Sequence, residues 1–216
     1  MAVSMKIDFV SDVSCPWCAI GLQSLEAAVA RLQDEVAVDM HFQPFELNPQ
    51  MAPEGEDIAG HIARKYGSTP EQFAQSQEMI RTRGAELGFR FDMLKRERIY
   101  NTFDAHRLLH WAEMEGKQPA LKHALFSAYF TEGLDPSNHE VLIDTVRAAG
   151  LDPERARRIL ESDEFAKDVR DREQFYLDHG IHAVPSIIVN NRHLIQGGQP
   201  VEVFEQVLRR LATEQK

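Results

Sequence analysis

The motif Cys15-Pro16-Trp17-Cys18 constrains this chain more than any other feature, because its two cysteines are the only ones among 216 residues. The motif follows a short apolar run at residues 7–10 and precedes a helical pattern of apolar residues. Thiols at positions i and i+3 of a helix's first turn lie on one face, close enough to form a disulfide. The unpaired N–H groups of that turn stabilise a thiolate, and the second thiol can resolve a mixed disulfide. This arrangement predicts reversible thiol–disulfide exchange.

Two other uses of the cysteine pair compete with redox chemistry. The pair can form half of a zinc site, for which His106 and His110, at helical i, i+4 spacing, are the candidate partners. The two cysteines can also be inert and buried. We favour redox chemistry without a metal, because a strand, a CxxC motif and a helix in this order are the setting in which the motif carries a mechanism.

The charge balance narrows the range of partners. A net charge of -10 argues against a surface that binds nucleic acid or anionic membranes. Residues 1–6 lack the basic region and apolar core of a secretory signal, and no apolar stretch approaches the length of a membrane span. We therefore expect a cytoplasmic protein. Cysteines in a reducing compartment are more often catalytic or redox-sensing than structural.

Hydrophobic periodicity predicts an α/β fold in which a mixed sheet is interrupted by a helical block. The chain begins with a strand, a helix and a second strand, at about residues 6–10, 15–33 and 36–42. From about residue 58 to residue 150 the pattern predicts several helices and no strand. After two more helices the chain ends with a strand hairpin and a last helix, at about residues 186–189, 193–195 and 201–212.

Two segments near the C-terminus are candidates for the second half of the site. Val184-Pro185 is either a simple strand start or a cis peptide opposite the motif, where the Val184 backbone would be exposed to an extended substrate. Gly197-Gly198 is either a turn between hairpin and helix or a set of N–H groups that holds an anion.

Side chains around the thiols have competing interpretations. Trp17 either shields the sulfurs and contacts substrate or belongs to the core. Asp12 either accepts a proton from Cys18 or caps the helix, and we favour capping. His106 and His110 are expected to be packing or solvated residues of a helix.

Four segments of the sequence resemble the FrnE-type branch of the DsbA-like thioredoxin superfamily: SDVSCPWC at 11–18, PFELNP at 44–49, NTFDAHRL at 101–108 and VPSII at 184–188. The resemblance implies a thioredoxin-like domain at 1–52 and 160–216 with a helical insertion domain at 53–159. It implies that Cys15 attacks, that Cys18 resolves and that Pro185 is cis. The implied activity is that of a dithiol–disulfide oxidoreductase or isomerase, in the neighbourhood of polyketide biosynthesis.

The same superfamily contains 2-hydroxychromene-2-carboxylate isomerases and kappa-class glutathione transferases, which typically carry serine where Cys15 stands. That difference favours redox chemistry on a protein or small-thiol disulfide, with no cofactor beyond the redox-active cysteines. The alternative is a glutathione-dependent isomerase or transferase acting on a small aromatic or polyketide-like compound. In that case the Val184 backbone and the Gly197-Gly198 turn supply donors to glutathione. A non-enzymatic redox sensor ranks third. An exposed helical insertion would offer a surface for a homodimer.

The residue inside the motif yields a prediction about the redox potential. Periplasmic DsbA enzymes usually carry histidine where Trp17 stands, and a neutral indole cannot stabilise a thiolate as an imidazolium does. We expect the Cys15–Cys18 couple to be less oxidising than theirs, whose potential is about −120 mV. Equilibration with glutathione redox buffers measures the potential, and a value as positive as that of a periplasmic oxidant contradicts the prediction.

Overall fold

The computed structural model describes residues 2–214. The first part of the chain forms β1 (Val3–Ser11), α1 (Pro16–Arg31) and β2 (Val36–Pro44). A mostly helical part follows, with β3 (Glu56–Asp57), α2 (Ile58–Tyr66), α3 (Pro70–Glu86), β4 (Arg98–Ile99), α4 (Phe103–Met114), α5 (Gln118–Phe126), a π-helical turn (Ser127–Thr131), α6 (His139–Ala148) and α7 (Pro153–Leu160). The last part forms α8 (Ala166–Asp178), β5 (Ser186–Val189), β6 (His193–Gln196) and α9 (Val201–Glu214).

The main sheet has four strands within residues 2–214, in the order β2-β1-β5-β6. β1 runs parallel to β2 and antiparallel to β5, and β5 and β6 form an antiparallel hairpin. The parallel pair needs a crossover connection, which α1 provides. The mixed sheet and the helical block between its two halves agree with the sequence prediction.

Alternation along β1 explains how the sheet is covered on both faces. Met5, Ile7 and Phe9 point to one face, where they join α1 and α9 in a large apolar cluster. Val10 points to the other face and packs with Tyr176 of α8. Because both faces of the sheet are covered, β1 ends in the protein interior, and the cysteine motif follows from there.

The helical part contributes to two apolar clusters. Phe126, Tyr129 and Phe130 belong to the cluster of the main sheet. A second cluster joins α4, α5, α6 and α7, and it also includes Val13 from the loop before the cysteines. The motif loop is therefore anchored in the core of the helical part. The apolar cluster of the main sheet contains residues from both predicted domains. The division into two domains at residues 52 and 160 stays a prediction.

The prediction that residues 58–150 contain no strand was wrong in one place. Arg98–Ile99 pairs with Glu56–Asp57 as a two-residue antiparallel ladder. Two residues are too few to show an alternating pattern, so periodicity could not reveal this ladder. Within residues 2–214, no helix has both the length and the apolar character needed to cross a membrane.

Gly198 brings the turn after β6 into close contact with α1. A Cβ atom at this position would lie 2.9 Å from the Trp17 carbonyl oxygen and 3.4 Å from the Gly21 nitrogen. We expect Gly198→Ala to lower the free energy of unfolding by about 1–3 kcal/mol, because backbone atoms would have to move apart. Urea denaturation measures the change.

Gly60→Ala in α2 is the matched control, because its Cβ would meet only the flexible side chain of Asp57 at 3.2 Å. This control is expected to be neutral or stabilising, since alanine favours the helix. Equal stability of the Gly198→Ala variant and the parent would show that the turn and α1 are not tightly packed.

Candidate active site

The cysteine motif forms the start of α1. Cys15 is the N-cap residue, with φ −89° and ψ 111°, and Pro16 occupies the first helical turn, where its missing N–H costs nothing. The N–H groups of Cys18 and Ala19 donate to the Cys15 carbonyl at 3.1 and 3.3 Å. No side chain in the described chain caps this helix, and its first turn carries no acidic residue. The N–H groups of this turn therefore act on the thiols with no acidic side chain in the turn itself.

The two thiols are free, and their surroundings differ. Cys15 is 4% exposed and lines a cavity, whereas Cys18 is fully buried and does not line it. Burial raises the pKa of Cys18 well above its ordinary value, the hydrogen bond and charge of Cys15 add to this effect, and Lys122 opposes it. A substrate can reach Cys15 first, while Cys18 stays protonated behind it.

The turn before β5 lies against the motif. The peptide bond between Val184 and Pro185 is cis, in agreement with the sharper of the two sequence interpretations. The Cys15 thiol lies 3.9 Å from the Val184 carbonyl oxygen. The Gly197 N–H donates to the Pro185 carbonyl at 2.8 Å, which joins this turn to the end of β6. The structure thus brings Cys15, Cys18, Val184 and Pro185 into one site.

A cavity of about 410 Å³ opens above Cys15. The wall nearest the thiol is formed by Ser14, Cys15, Pro16, Trp17 and Val184. The opposite wall comes largely from α2 and α3, with the apolar residues Ile58, Ile62, Tyr66, Phe73 and Ile80. Its volume suits a small molecule, and its lining is mainly apolar with a few polar groups, as in many ligand sites.

The other predicted binding residues have different positions. Trp17 is half-buried, lines the cavity and has the Arg83 guanidinium 5.9 Å from its ring centroid. Gly197 and Gly198 do not line the cavity, and the Gly197 N–H already donates a hydrogen bond to the Pro185 carbonyl oxygen. Their proposed role as anion donors remains a prediction to which this geometry adds no support.

Asp12 stabilises the loop before the motif. Its carboxylate accepts from the Ser14 N–H and hydroxyl, at 3.3 and 3.1 Å, and from the Leu47 N–H at 2.7 Å. His106 Nε2 approaches it to 3.5 Å, and both side chains are buried. Burial favours a higher pKa for Asp12, but His106 and the Leu47 N–H outweigh it, so the pKa is lowered.

The expectation that Asp12 caps α1 was therefore wrong. Its oxygens are taken by Ser14 and Leu47, which lie before the helix and on the next loop. His106 Nε2 lies 3.5 Å from Asp12, and the His110 ring centroid lies 5.2 Å from that of Phe165 with the two rings tilted. Among residues 2–214, no group of three or more His, Cys, Asp or Glu is placed to hold a metal ion.

Sequence reasoning missed two buried cations beside the motif. The Arg96 guanidinium donates to the Ser14 carbonyl at 3.4 Å and lies 5.0 Å from the rings of both Tyr129 and Phe130. Lys122 is fully buried, and its ammonium group has no hydrogen-bond partner in the described chain. Burial lowers the pKa of Lys122 to about 8, against the opposing charges of Cys18 and Asp12. In the sequence, a single lysine or arginine within a mostly helical region gives no indication that its side chain is buried.

Two buried carboxyl groups, those of Glu46 and Glu173, contact the same arginine, Arg170. Arg170 donates to Glu46 and, at 2.8 Å, to Glu173, and it stacks on the Phe103 ring at 3.7 Å. One oxygen of each carboxyl group has no partner in the described chain. Burial and the charge of Glu173 raise the pKa of Glu46 to about 7.

Comparison with known proteins finds a matching family and several proteins of similar structure. A family model described as a DSBA-like thioredoxin domain matches residues 6–209. A probable DsbA oxidoreductase from Streptomyces coelicolor is 29% identical, with a TM-score of 0.89 over 98% of this chain and 91% of that one. The uncharacterized protein YwbO from Bacillus subtilis is 25% identical over 210 residues, 96% of each chain. The cytosolic disulfide reductase DsbM from Pseudomonas aeruginosa, solved with GSH, is 15% identical, with a TM-score of 0.66 over 96% of this chain and 99% of that one.

The raised pKa of Glu46 predicts how stability changes with pH. The folded state holds this proton more tightly than the unfolded state, so the contribution to stability is complete below pH 4.5 and is lost as the pH rises through about 7. In Glu46→Gln the neutral amide cannot ionise. We expect the decline in unfolding free energy between pH 5 and pH 8 to be smaller by roughly 1–3 kcal/mol, measured by urea denaturation at several pH values.

Glu54→Gln is the control for this experiment, because Glu54 is an exposed residue on the same connection between β2 and β3. It should leave the pH profile unchanged. Parallel profiles for Glu46→Gln and the parent would show that Glu46 ionises in the same way in the folded and unfolded states.

Proposed function

Because the chain belongs to the DsbA-like thioredoxin family, we propose that it is a thiol–disulfide oxidoreductase of the FrnE-type branch, with Cys15 as the attacking thiolate and Cys18 as the resolving thiol. The observation that carries this proposal is the difference between the thiols. Cys15 lines the cavity at the helix start, whereas Cys18 is fully buried and its pKa is raised. An accessible nucleophile backed by a protected thiol suits a two-step exchange.

The exchange proceeds through a mixed disulfide. The Cys15 thiolate attacks one sulfur of a substrate disulfide, and the other substrate sulfur leaves with the electron pair of the broken bond and takes up a proton. Cys18 then loses its proton and attacks Cys15, which forms the Cys15–Cys18 disulfide and releases the second substrate thiol. The substrate is reduced by two electrons, and the cysteine pair is oxidised by two. The reverse sequence oxidises a dithiol.

The Val184–Pro185 turn is proposed to hold the substrate chain. Its Val184 carbonyl already lies beside the Cys15 thiol, so an extended segment next to a substrate disulfide can pair with the Val184 backbone. Pro185 offers no N–H to compete for that segment. Trp17, which lines the cavity, supplies an apolar contact to the substrate.

A second candidate function is a glutathione-dependent isomerase or transferase acting on a small aromatic or polyketide-like compound. The 410 Å³ cavity favours it, because a site for extended peptides alone does not need an enclosed apolar wall. The DsbM relative, solved with GSH, supports glutathione as a candidate ligand. We rank this function second because Cys18 has no role in it.

We also propose that the reaction takes place in the cytoplasm, where the DsbM relative, described as a cytosolic reductase, is a precedent. In a reducing compartment the proposed direction is reduction of the substrate disulfide. The homodimer remains a prediction.

Cys18→Ser distinguishes the candidate functions. An oxidoreductase should lose dithiol-dependent insulin reduction, because the mixed disulfide on Cys15 can no longer be resolved. The variant should instead accumulate a covalent adduct on Cys15, which intact mass spectrometry detects. An isomerase that uses one thiol should keep its activity in this variant.

Cys15→Ser is the matched control, since it removes one thiol of the same motif and should form no adduct at all. The oxidoreductase proposal fails if the parent protein reduces no disulfide and Cys18→Ser traps none. Redox-dependent partner binding without turnover would instead identify a sensor.

A further inference from the structure

Lys122 is a charged side chain that lies against the apolar cluster of the main sheet. It is fully buried, and its ammonium nitrogen lies 4.8 Å from the ring centroid of Phe126 and 5.9 Å from that of Phe42. In the described chain the nitrogen has no hydrogen-bond partner. Keeping an unpaired charge inside a protein is costly, so a compensating interaction is needed.

The neighbouring residues hold Lys122 in place between β2 and α1. Gln118, one turn earlier in α5, donates to the Phe42 carbonyl at 2.9 Å and accepts from the Phe42 N–H at 2.8 Å. His123 lies 2.8 Å from Glu26 and 3.5 Å from Gln23, both on α1. The α5 segment that carries Lys122 is thereby fastened to the helix whose first turn bears the cysteines.

The titratable groups that act on Lys122 come from several elements. Cys18 and Cys15 on α1 and Asp12 on the preceding loop are the groups whose charges favour its protonated form. A narrow cavity of about 10 Å³ also borders Lys122, and it is lined in addition by His106, His110 and Glu113 of α4 and by Arg172 of α8. This space is enough for about one water molecule. The rings that contact the Lys122 ammonium group, those of Phe42 and Phe126, belong to the same apolar cluster as Cys15 and Cys18. Lys122 therefore lies in the part of the core that contains the motif thiols.

We propose that Lys122 is a positioning residue whose buried ammonium group stabilises the negative charge that develops on Cys18 when this thiol resolves the mixed disulfide. The inference rests on the proposed oxidoreductase function. In the mixed disulfide Cys15 is neutral, so Cys18 is the motif sulfur that becomes charged. The helical insertion would in this way take a direct part in the redox step.

The charge balance of the step is simple. Cys18 gives its proton to solvent, and its electron pair forms the bond to the Cys15 sulfur. The substrate sulfur departs with the electron pair of its former bond to Cys15 and takes up a proton from solvent. Lys122 keeps its proton throughout and acts on the intermediate Cys18 thiolate through its charge.

Stoichiometric reaction with the aromatic disulfide DTNB tests this proposal, because it separates the two steps. Attack by Cys15 on DTNB releases one coloured thiolate, and attack by Cys18 on the resulting mixed disulfide releases a second. We expect Lys122→Met to keep the first phase near the parental rate. The second phase should become slower on the order of tenfold at pH 7, because loss of the nearby positive charge raises the pKa of Cys18 further and leaves less thiolate. The pH midpoint of that phase should rise.

Lys117→Met is the matched control, because it removes the same charge from the exposed N-terminal end of α5 and should leave both phases unchanged. The unfolding free energy of Lys122→Met should be equal to or greater than that of the parent, since methionine fills the site without an unpaired charge. A merely structural role for Lys122 predicts lower stability and no shift of the pH midpoint.

The proposal is overturned if the second phase keeps its parental rate and pH midpoint, or if both phases slow equally. Lys122→Gln repeats the test if the methionine variant does not fold. A parent protein that shows no first phase would instead refute the proposed oxidoreductase function, and a normal first phase with an unaltered second phase refutes only the role of Lys122.

Discussion

The packing of the Val184–Pro185 turn against the first turns of α1 is the contact on which the rest of the site depends. Gly21 makes it possible, because a Cβ at this position would lie 3.1 Å from the Pro185 side chain. The adjacent turn after β6 is packed as closely, since a Cβ at Gly198 would lie 2.9 Å from the Trp17 carbonyl oxygen. The contact joins the first and last thirds of the chain, and the sheet order β2-β1-β5-β6 brings those parts together. Once this packing is formed, the Cys15 thiol necessarily faces a backbone carbonyl and an open cavity.

The second property of the site is its unusual charge distribution. The protein carries a net charge of -10, yet two cations without ion-pair partners in the described chain, Arg96 and Lys122, are buried near the motif. Arg96 holds the Ser14 carbonyl and stacks on aromatic rings, whereas Lys122 has only ring contacts and the field of the thiols and Asp12. Both come from the helical part of the chain. The helical part of the chain therefore places two buried cations near the motif and also forms the far wall of the cavity.

Much of this organisation could be predicted from the sequence, and the rest had no local signal. The strand at 186–189 and the helix from residue 201 matched because β-branched runs, glycine turns and apolar stripes are local patterns. The cysteines could be placed at a helix start because Pro16 and the apolar spacing mark it. Asp12 was misassigned because its partners, Leu47 and His106, are distant in sequence. Burial of Lys122 depends on packing against residues such as Phe42, which is distant in sequence, and periodicity does not report such contacts.

Val13 makes the helical part and the redox motif difficult to separate. It lies in the loop that leads to Cys15, but its side chain is completely buried in the cluster formed by α4, α5, α6 and α7. Exchanging the helical insertion between relatives would therefore also change the packing around Val13. The backbone that leads from Val13 to Cys15 would then shift as well. For protein engineering, the transferable unit is the motif loop together with the helical cluster beneath it, and a graft of the four motif residues alone would leave that support behind.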